Sequence, residues 1–319
     1  MQRSIVALAL LFGIIPWQEG YAFFPTSSRR NVRWYRSYEE ARLENKPLLV
    51  YLSGNNLWAK KLEKEIFADT LFQRKVGKAF SLVQVKELPK TLPFSVEAEP
   101  IVLLIDQNHD LIGTLGFLPI SPEEYADFVL ERLGEYHEMQ NALRGDLSSL
   151  VLEKLYEKAK ALGCPSLEKA IFSRGIVDPS TTYFLLEKYR ELQGSHAETL
   201  QGREHLRGQI IERDPNNVRK SFYRLALLDF QYLVGTSEKS SDPKKTAQPL
   251  TDYVTRFPED DEHGWKVEMM VSQYFFTKGL LHDALLHARS CYKKAPLAIR
   301  KEVARSIQHI RGEIREEKR

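Results

Sequence analysis

Cysteine is the scarcest residue type in this 319-residue chain: Cys164 and Cys291 are the only two. Two thiols cannot build a disulfide-rich scaffold or a cysteine-based zinc cluster. Charge of one sign is lacking too. Forty-six Lys and Arg face 43 Asp and Glu, for a formal net charge of +3. A dedicated nucleic-acid binder would concentrate positive charge to displace counterions, so that class is set aside. No uncharged stretch reaches the roughly 20 residues that a membrane-spanning helix needs. Gly-x-Gly-x-x-Gly, Walker, Gly-x-Ser-x-Gly and His-Glu-x-x-His motifs are absent, so neither cofactor nor metal is expected. What the chain does have is 43% hydrophobic residues, enough for real cores and too many for global disorder. Its length favours two domains.

The first 22 residues have the grammar of an export signal. Arg3 is basic, residues 4–17 carry no charge, and small Gly20 and Ala22 follow. This run is too short to span a bilayer and fits a secretory signal peptide cleaved after Ala22. The expectation is an exported protein, periplasmic or secreted, with no stable membrane span after cleavage.

Residues 23–143 alternate between helix and strand patterns. Residues 37–46 read as an acidic helix capped by Ser37, with Glu39 and Glu40 in its first turn. Residues 47–52 form a continuous apolar run, as in a strand covered on both faces. Residues 57–67 read as a helix with Trp58, Leu62 and Ile66 on one face. Strands follow at 81–86, 100–106 and 111–117, the last two joined through Asn108-His109-Asp110, and a long helix at 122–142 closes the unit. This is an α/β order with a mixed sheet flanked by helices.

Lys46-Pro47-Leu48-Leu49-Val50, Lys61-Leu62-Glu63-Lys64-Glu65-Ile66-Phe67 and Glu99-Pro100-Ile101-Val102 occur in an order that resembles the thioredoxin-like superfamily across residues 33–135. The resemblance implies a cis proline at Pro100, beside the active site, where the backbone is free to receive an extended peptide. Redox members carry Cys-x-x-Cys at the start of the second helix, where the helix dipole acidifies the first thiol. The stretch here is Asn55-Asn56-Leu57-Trp58-Ala59, with Asn56 and Ala59 at the two cysteine positions and no Cys anywhere in residues 1–163. Asn56 is a good helix cap, so the helix start is kept while the thiols are gone.

Residues 144–319 read as an all-α domain. Amphipathic helices are expected at 146–162, 166–175, 179–193, 196–212, 216–234, 247–257, 262–278, 280–294 and 297–315, punctuated by Gly and Pro. The polar stretch 236–245 reads as a loop. The later helices resemble tetratricopeptide-type repeats. Asp214-Pro215-Asn216-Asn217 looks like an inter-repeat turn, and Phe275, Ala284, Ala288, Cys291 and Pro296 fall near one repeat's spacing. Glu268 stands where the usual tryptophan would be, and Ala288 replaces a large aromatic.

Other constellations have plainer readings. Asp283, His287 and Cys291 follow one another at i, i+4 and i+8, a possible nucleophile–base series, but Cys291 also suits a small buried repeat position. Cys164 and Cys291 are either a disulfide or two buried thiols. Glu259-Asp260-Asp261-Glu262 suits a solvated first turn better than a calcium site. Trp34, Tyr35 and Trp58 are either a peptide-binding edge or core. The chain is therefore expected to be a non-catalytic scaffold or chaperone-like factor of the cell envelope. It would hold a protein or peptide in a degenerate active-site groove of Asn55, Asn56, Trp58, Ala59 and Pro100. The alternatives are an atypical thiol–disulfide oxidoreductase or isomerase using Cys164 or Cys291, and a purely structural subunit of an envelope assembly.

Overall fold

Every residue of the second strand, β2 (Leu48–Leu52), is buried, as its unbroken apolar run requires. The computed structural model describes residues 32–89, 92, 101–192, 197–236 and 242–317. The signal segment, its cleavage site, Pro100 and residues 237–241 of the expected 236–245 loop lie outside the described residues. The period-2 alternation of a strand sends Leu49 and Tyr51 to one side of the sheet and Leu48 and Val50 to the other. Strands β3 (Ser81–Val85) and β4 (Ile101–Ile105) split their side chains in the same way.

The five-stranded sheet runs β1-β3-β2-β4-β5. β1 (Trp34–Tyr35) and β2 are both parallel to β3, whereas β4 is antiparallel to β2 and to β5 (Leu111–Leu115). The expected turn between β4 and β5 is built on Asp106. Its carboxylate accepts the Asn108 and Asp110 backbone N–H groups, each at 2.8 Å, and the Tyr136 hydroxyl at 2.8 Å. One face of the sheet carries α1 (Tyr38–Arg42), shorter than the helix expected at 37–46. The other carries α2 (Leu57–Lys61), α3 (Thr70–Ala79) and α4 (Pro122–Ala142). α4 starts with a capping box, Ser121 and Glu124 bonding each other's backbone N–H, with Pro122 in the first turn.

The single helix expected at 57–67 is interrupted. After Lys61 the chain widens into a π-helical segment, Leu62–Phe67. That extra width turns both Ile66 and Phe67 into the core beside Leu62, and Trp58 does not join them: it is 49% exposed. Helix α3, which the sequence reading omits, starts at Asp69, whose carboxylate caps the Leu71 and Phe72 N–H groups.

Beyond α4 lie nine helices among the described residues: α5 (Ser149–Leu162), α6 (Pro165–Gly175), α7 (Tyr183–Glu191), α8 (Ala197–Arg213), α9 (Ser221–Thr236), α10 (Pro243–Arg256), α11 (Gly264–Thr277), α12 (Leu281–Lys294) and α13 (Leu297–Glu316). α5 ends at Gly163, whose φ of 71° is left-handed backbone that glycine adopts freely. α9 begins at Ser221 rather than 216 because the Asp214 and Asn217 side chains take the backbone N–H groups of Arg219, Ser221 and Phe222. The α11–α12 pair is antiparallel: the Ser272 hydroxyl donates to the Ala284 carbonyl at 2.8 Å, and Glu268 meets His287. Ala284 and Ala288, both buried, permit that approach.

α5 and α6 are not separate from the sheet. Leu152, Tyr156, Leu162, Cys164 and Ile171 belong to the same core as Leu104, Ile112 and Met139. Gly113 marks the contact, since a Cβ there would lie 3.0 Å from the Leu162 carbonyl oxygen. Further along, α6 and α7 are equally tight. A Cβ on Gly175 would sit 2.2 Å from the Phe184 ring, which is itself 1% exposed. Gly175→Ala is therefore expected to lower the urea midpoint, at a cost of about 1–3 kcal/mol for overpacking. Gly134→Ala, in α4 with open space at its Cβ, should instead stabilise by about 0.5–1 kcal/mol.

Candidate ligand groove at the start of the second helix

The tip of α2 is shaped by its cap. Asn56 is in extended backbone, and its side-chain oxygen accepts the Ala59 N–H at 2.9 Å. That is the role expected from Asn at this position. Ala59, at the second of the two positions where the resemblance places a thiol, is fully buried. Behind it the Tyr51 hydroxyl donates to the Ala59 carbonyl at 3.3 Å and to Glu63 Oε1 at 3.1 Å. The backbone of this tip is thus held in place from below by β2.

Its outer surface is aromatic. Trp58 stacks on Phe117, which follows β5, with centroids 5.1 Å apart and planes 29° from parallel. Lys61, one helical turn beyond Trp58, lies 5.3 Å from the Trp58 ring and 5.5 Å from the Phe117 ring. Leu57 beside them is 64% exposed. The result is a platform with an apolar face and one cation, flanked by exposed Asn55 and Asn56. Lys61 was within reach of sequence reasoning through its i+3 spacing from Trp58. Phe117 was not, because only the β4–β5 hairpin brings it there. Trp34 and Tyr35 are not part of this platform. Tyr35 is buried and bonds Glu44 at 2.7 Å, and Trp34 packs on Phe67 at 5.2 Å.

The two thiols lie elsewhere and are not paired. Cys164 is buried in the sheet–α5–α6 core and donates to the Ile112 carbonyl. Burial pushes its pKa up to about 12. Cys291 is buried between α11, α12 and α13, and burial raises it to about 11. The Asp283–His287–Cys291 stripe is dispersed among other partners. Asp283 meets Lys244 at 2.9 Å, and His287 Nδ1 meets Glu268 Oε2 at 2.6 Å.

The acidic run 259–262 differs from its expected solvated role at one residue. Asp260 is 9% exposed, accepts from the Tyr253 hydroxyl and from the Glu262 and His263 N–H groups, and pairs with Lys220. It ties α10 and the turn before α9 to the start of α11. Among the described residues no three His, Cys, Asp or Glu side chains gather in a metal-binding arrangement. Nor is any described helix long and apolar enough to cross a membrane.

No family model matches this chain. The "Thioredoxin-related protein DsbJ" of Chlamydia pneumoniae is 26% identical over 341 residues, spanning 97% of this chain and 95% of that protein. A solved structure described as "DsbH Oxidoreductase" shares 20% identity with a TM-score of 0.30, over 37% of this chain and 95% of that one. Strand order 1-3-2-4-5 with β4 reversed, a capped helix after β2 and a closing helix after the hairpin give the N-terminal part the mixed sheet flanked by helices that the thioredoxin-like resemblance implies. The similarity to the thioredoxin-related relative continues past it through the helical region.

Proposed function

We propose that this chain is a Dsb-like protein of the cell envelope that grips an extended protein or peptide at the tip of α2 and performs no thiol exchange there. The observation that carries this reading is the tip itself. A capping Asn56 and a buried Ala59 stand where the resemblance puts the redox pair, beside a half-exposed Trp58 stacked on Phe117. Exposed aromatics on a rigid support are the usual anchors of peptide recognition, since they supply large contact area at little entropic cost. The relative's name, a thioredoxin-related Dsb protein, supports reading the chain as an envelope protein.

The test is a titration with a fluorescein-labelled polypeptide kept unfolded by reduction and carboxymethylation. Trp58→Ala should weaken binding about tenfold, equivalent to about 1.4 kcal/mol, with Trp58→Phe retaining most of it. An unchanged Kd in Trp58→Ala would remove the groove from the function. Insulin reduction run in parallel decides against the oxidoreductase alternative if it is absent. Turnover that disappears in Cys164→Ala or Cys291→Ala would establish that alternative.

A further inference from the structure

Charge is nearly balanced over the whole chain but not over its last two helices. Between Ala284 and Gly312 stand seven Lys and Arg and a single acidic residue, Glu302. The fold then sorts the charged side chains of this region. α13 turns back along α12, with Val303 in one core with Cys291 and Ile310 in another with Ala284 and Ala288. At 3.6 residues per turn, the buried line through Val303 and Ile310 divides the rest of α13 into two flanks. On one flank Arg300 reaches α12, donating to the Ala295 carbonyl at 2.9 Å and lying 6.0 Å from the Tyr292 ring. On the other, His309 packs against Phe276 of α11 at 5.3 Å. Glu302, Glu313 and Glu316 share the stripe of His309, at i−7, i+4 and i+7, so the acidic residues follow the α11 side. The basic ones follow the α12 side. Arg311 lies three turns on from Arg300, Arg315 one turn further, and Lys301 one turn from Leu297, itself five turns before Arg315.

The exposed stripe of α12 continues this face with Leu286, Arg289 and Lys293, and Tyr292 borders α13. Among the described residues, none of the five cations Arg289, Lys293, Lys301, Arg311 and Arg315 is in an ion pair. Neighbouring carboxylates are held elsewhere, Asp283 by Lys244 at 2.9 Å and Glu268 by His287 at 2.6 Å. Lys294 turns to Gly264 at the start of α11, so it and the acidic run before Gly264 stand outside this face. Three apolar side chains project among the cations: Leu286 is 60% exposed, Tyr292 41% and Leu297 81%.

We infer that the outer face of α12 and α13 docks this protein on a membrane surface rich in anionic lipid. The cations lie over headgroups, and Leu286, Tyr292 and Leu297 enter the interfacial layer. From Leu297 to Arg315 the face runs about 27 Å, and cations spread over that length match a plane of charges rather than one small anion. The apolar side chains stand out from the helices, which suits a medium that yields around them. An acidic protein would have to offer a pocket for each. This surface is separate from the groove at Trp58 and does not depend on it.

Flotation with phosphatidylcholine vesicles, with or without roughly one-third phosphatidylglycerol, tests the inference. The chain is used without residues 1–22, whose apolar run would bind lipid by itself. It should bind the anionic vesicles at least about tenfold more tightly than the neutral ones, and lose most of that preference in about 0.5 M salt. The triple variant Arg289→Gln, Lys301→Gln, Arg311→Gln should bind about a hundredfold more weakly. Lys46→Gln, Lys78→Gln, Lys154→Gln removes the same charge from exposed positions elsewhere and should bind like wild type. Leu286→Ser with Leu297→Ser should weaken binding about tenfold and leave its salt dependence unchanged. Thermal melts should match wild type throughout, since every altered side chain is exposed. Trp58→Ala should leave vesicle binding intact, which separates failure here from failure of the groove. Equal binding to both kinds of vesicle, or equal losses in the two charge variants, would overturn the inference. Capture by polyglutamate with none by the vesicles would overturn it too, and hand the face to an acidic protein.

Discussion

Native protein should react with an aromatic disulfide reagent at least ~10³-fold more slowly than the same chain in denaturant, at both Cys164 and Cys291. Only the thiolate is nucleophilic, and burial pushes the two thiols up to about 12 and about 11 from an ordinary 9.0. At neutral pH, Cys164 is then ionised in roughly one molecule in 10⁵. Neither sulfur is accessible, so approach needs local or global opening in addition. Stoichiometric labelling of two thiols within the mixing time in native buffer would overturn this account.

The same burial sets the sign of an alkaline transition. Both thiols have folded-state pKa values above their unfolded ones. Their contribution to stability is therefore complete below pH 9 and is lost as pH rises from about 9 towards 11 and 12. Each tenfold difference in acidity corresponds to about 1.4 kcal/mol, so several kcal/mol are at stake. Buried tyrosines such as Tyr156, also raised, act in the same direction at the upper end of this window. Chemical denaturation from pH 8 to 11 should show wild-type stability falling more steeply than that of the Cys164→Ala, Cys291→Ala double variant. Parallel curves would mean that the thiols are not desolvated as described.

How much of this was legible beforehand follows from the physics of each element. Strands β2 to β5 stand out because continuous apolar runs such as Leu48–Leu52 are what a doubly covered strand needs. The Asn56 cap was equally legible, since capping is a local bond between neighbours in the chain. β1 has two residues, too few for any period to show. The π-helical Leu62–Phe67 defeats a reading at 3.6 residues per turn, which puts Trp58 on the same face as Leu62 and Ile66. The platform partner Phe117 and the Arg203–Asp229 pair join different elements and leave no local pattern to read. The same holds for α5 and α6. Their amphipathic pattern predicts helices, but not that their apolar faces close the sheet's own core through Ile112 and Cys164.

Asp229→Asn is the substitution expected to damage the fold most among those that leave volume unchanged. Asp229 is 9% exposed and is the carboxylate on which Arg203, Arg207 and the Tyr189 hydroxyl converge. Its Arg207 partner is 45% exposed and turns to water when the pairing is lost. Arg203, at 6%, has no such route, and an uncompensated buried guanidinium costs about 3–5 kcal/mol. Because an intact buried pair gains little net energy over apolar packing, replacing the whole cluster should be far milder than removing one member. The triple variant Asp229→Leu, Arg203→Met, Tyr189→Phe removes charge and orphaned hydroxyl together, and is expected to recover most of the loss in urea unfolding. Recovery with an unchanged urea slope would assign the cost to the stranded charge. A loss below about 1 kcal/mol in Asp229→Asn would mean that Arg203 does not depend on that carboxylate at all.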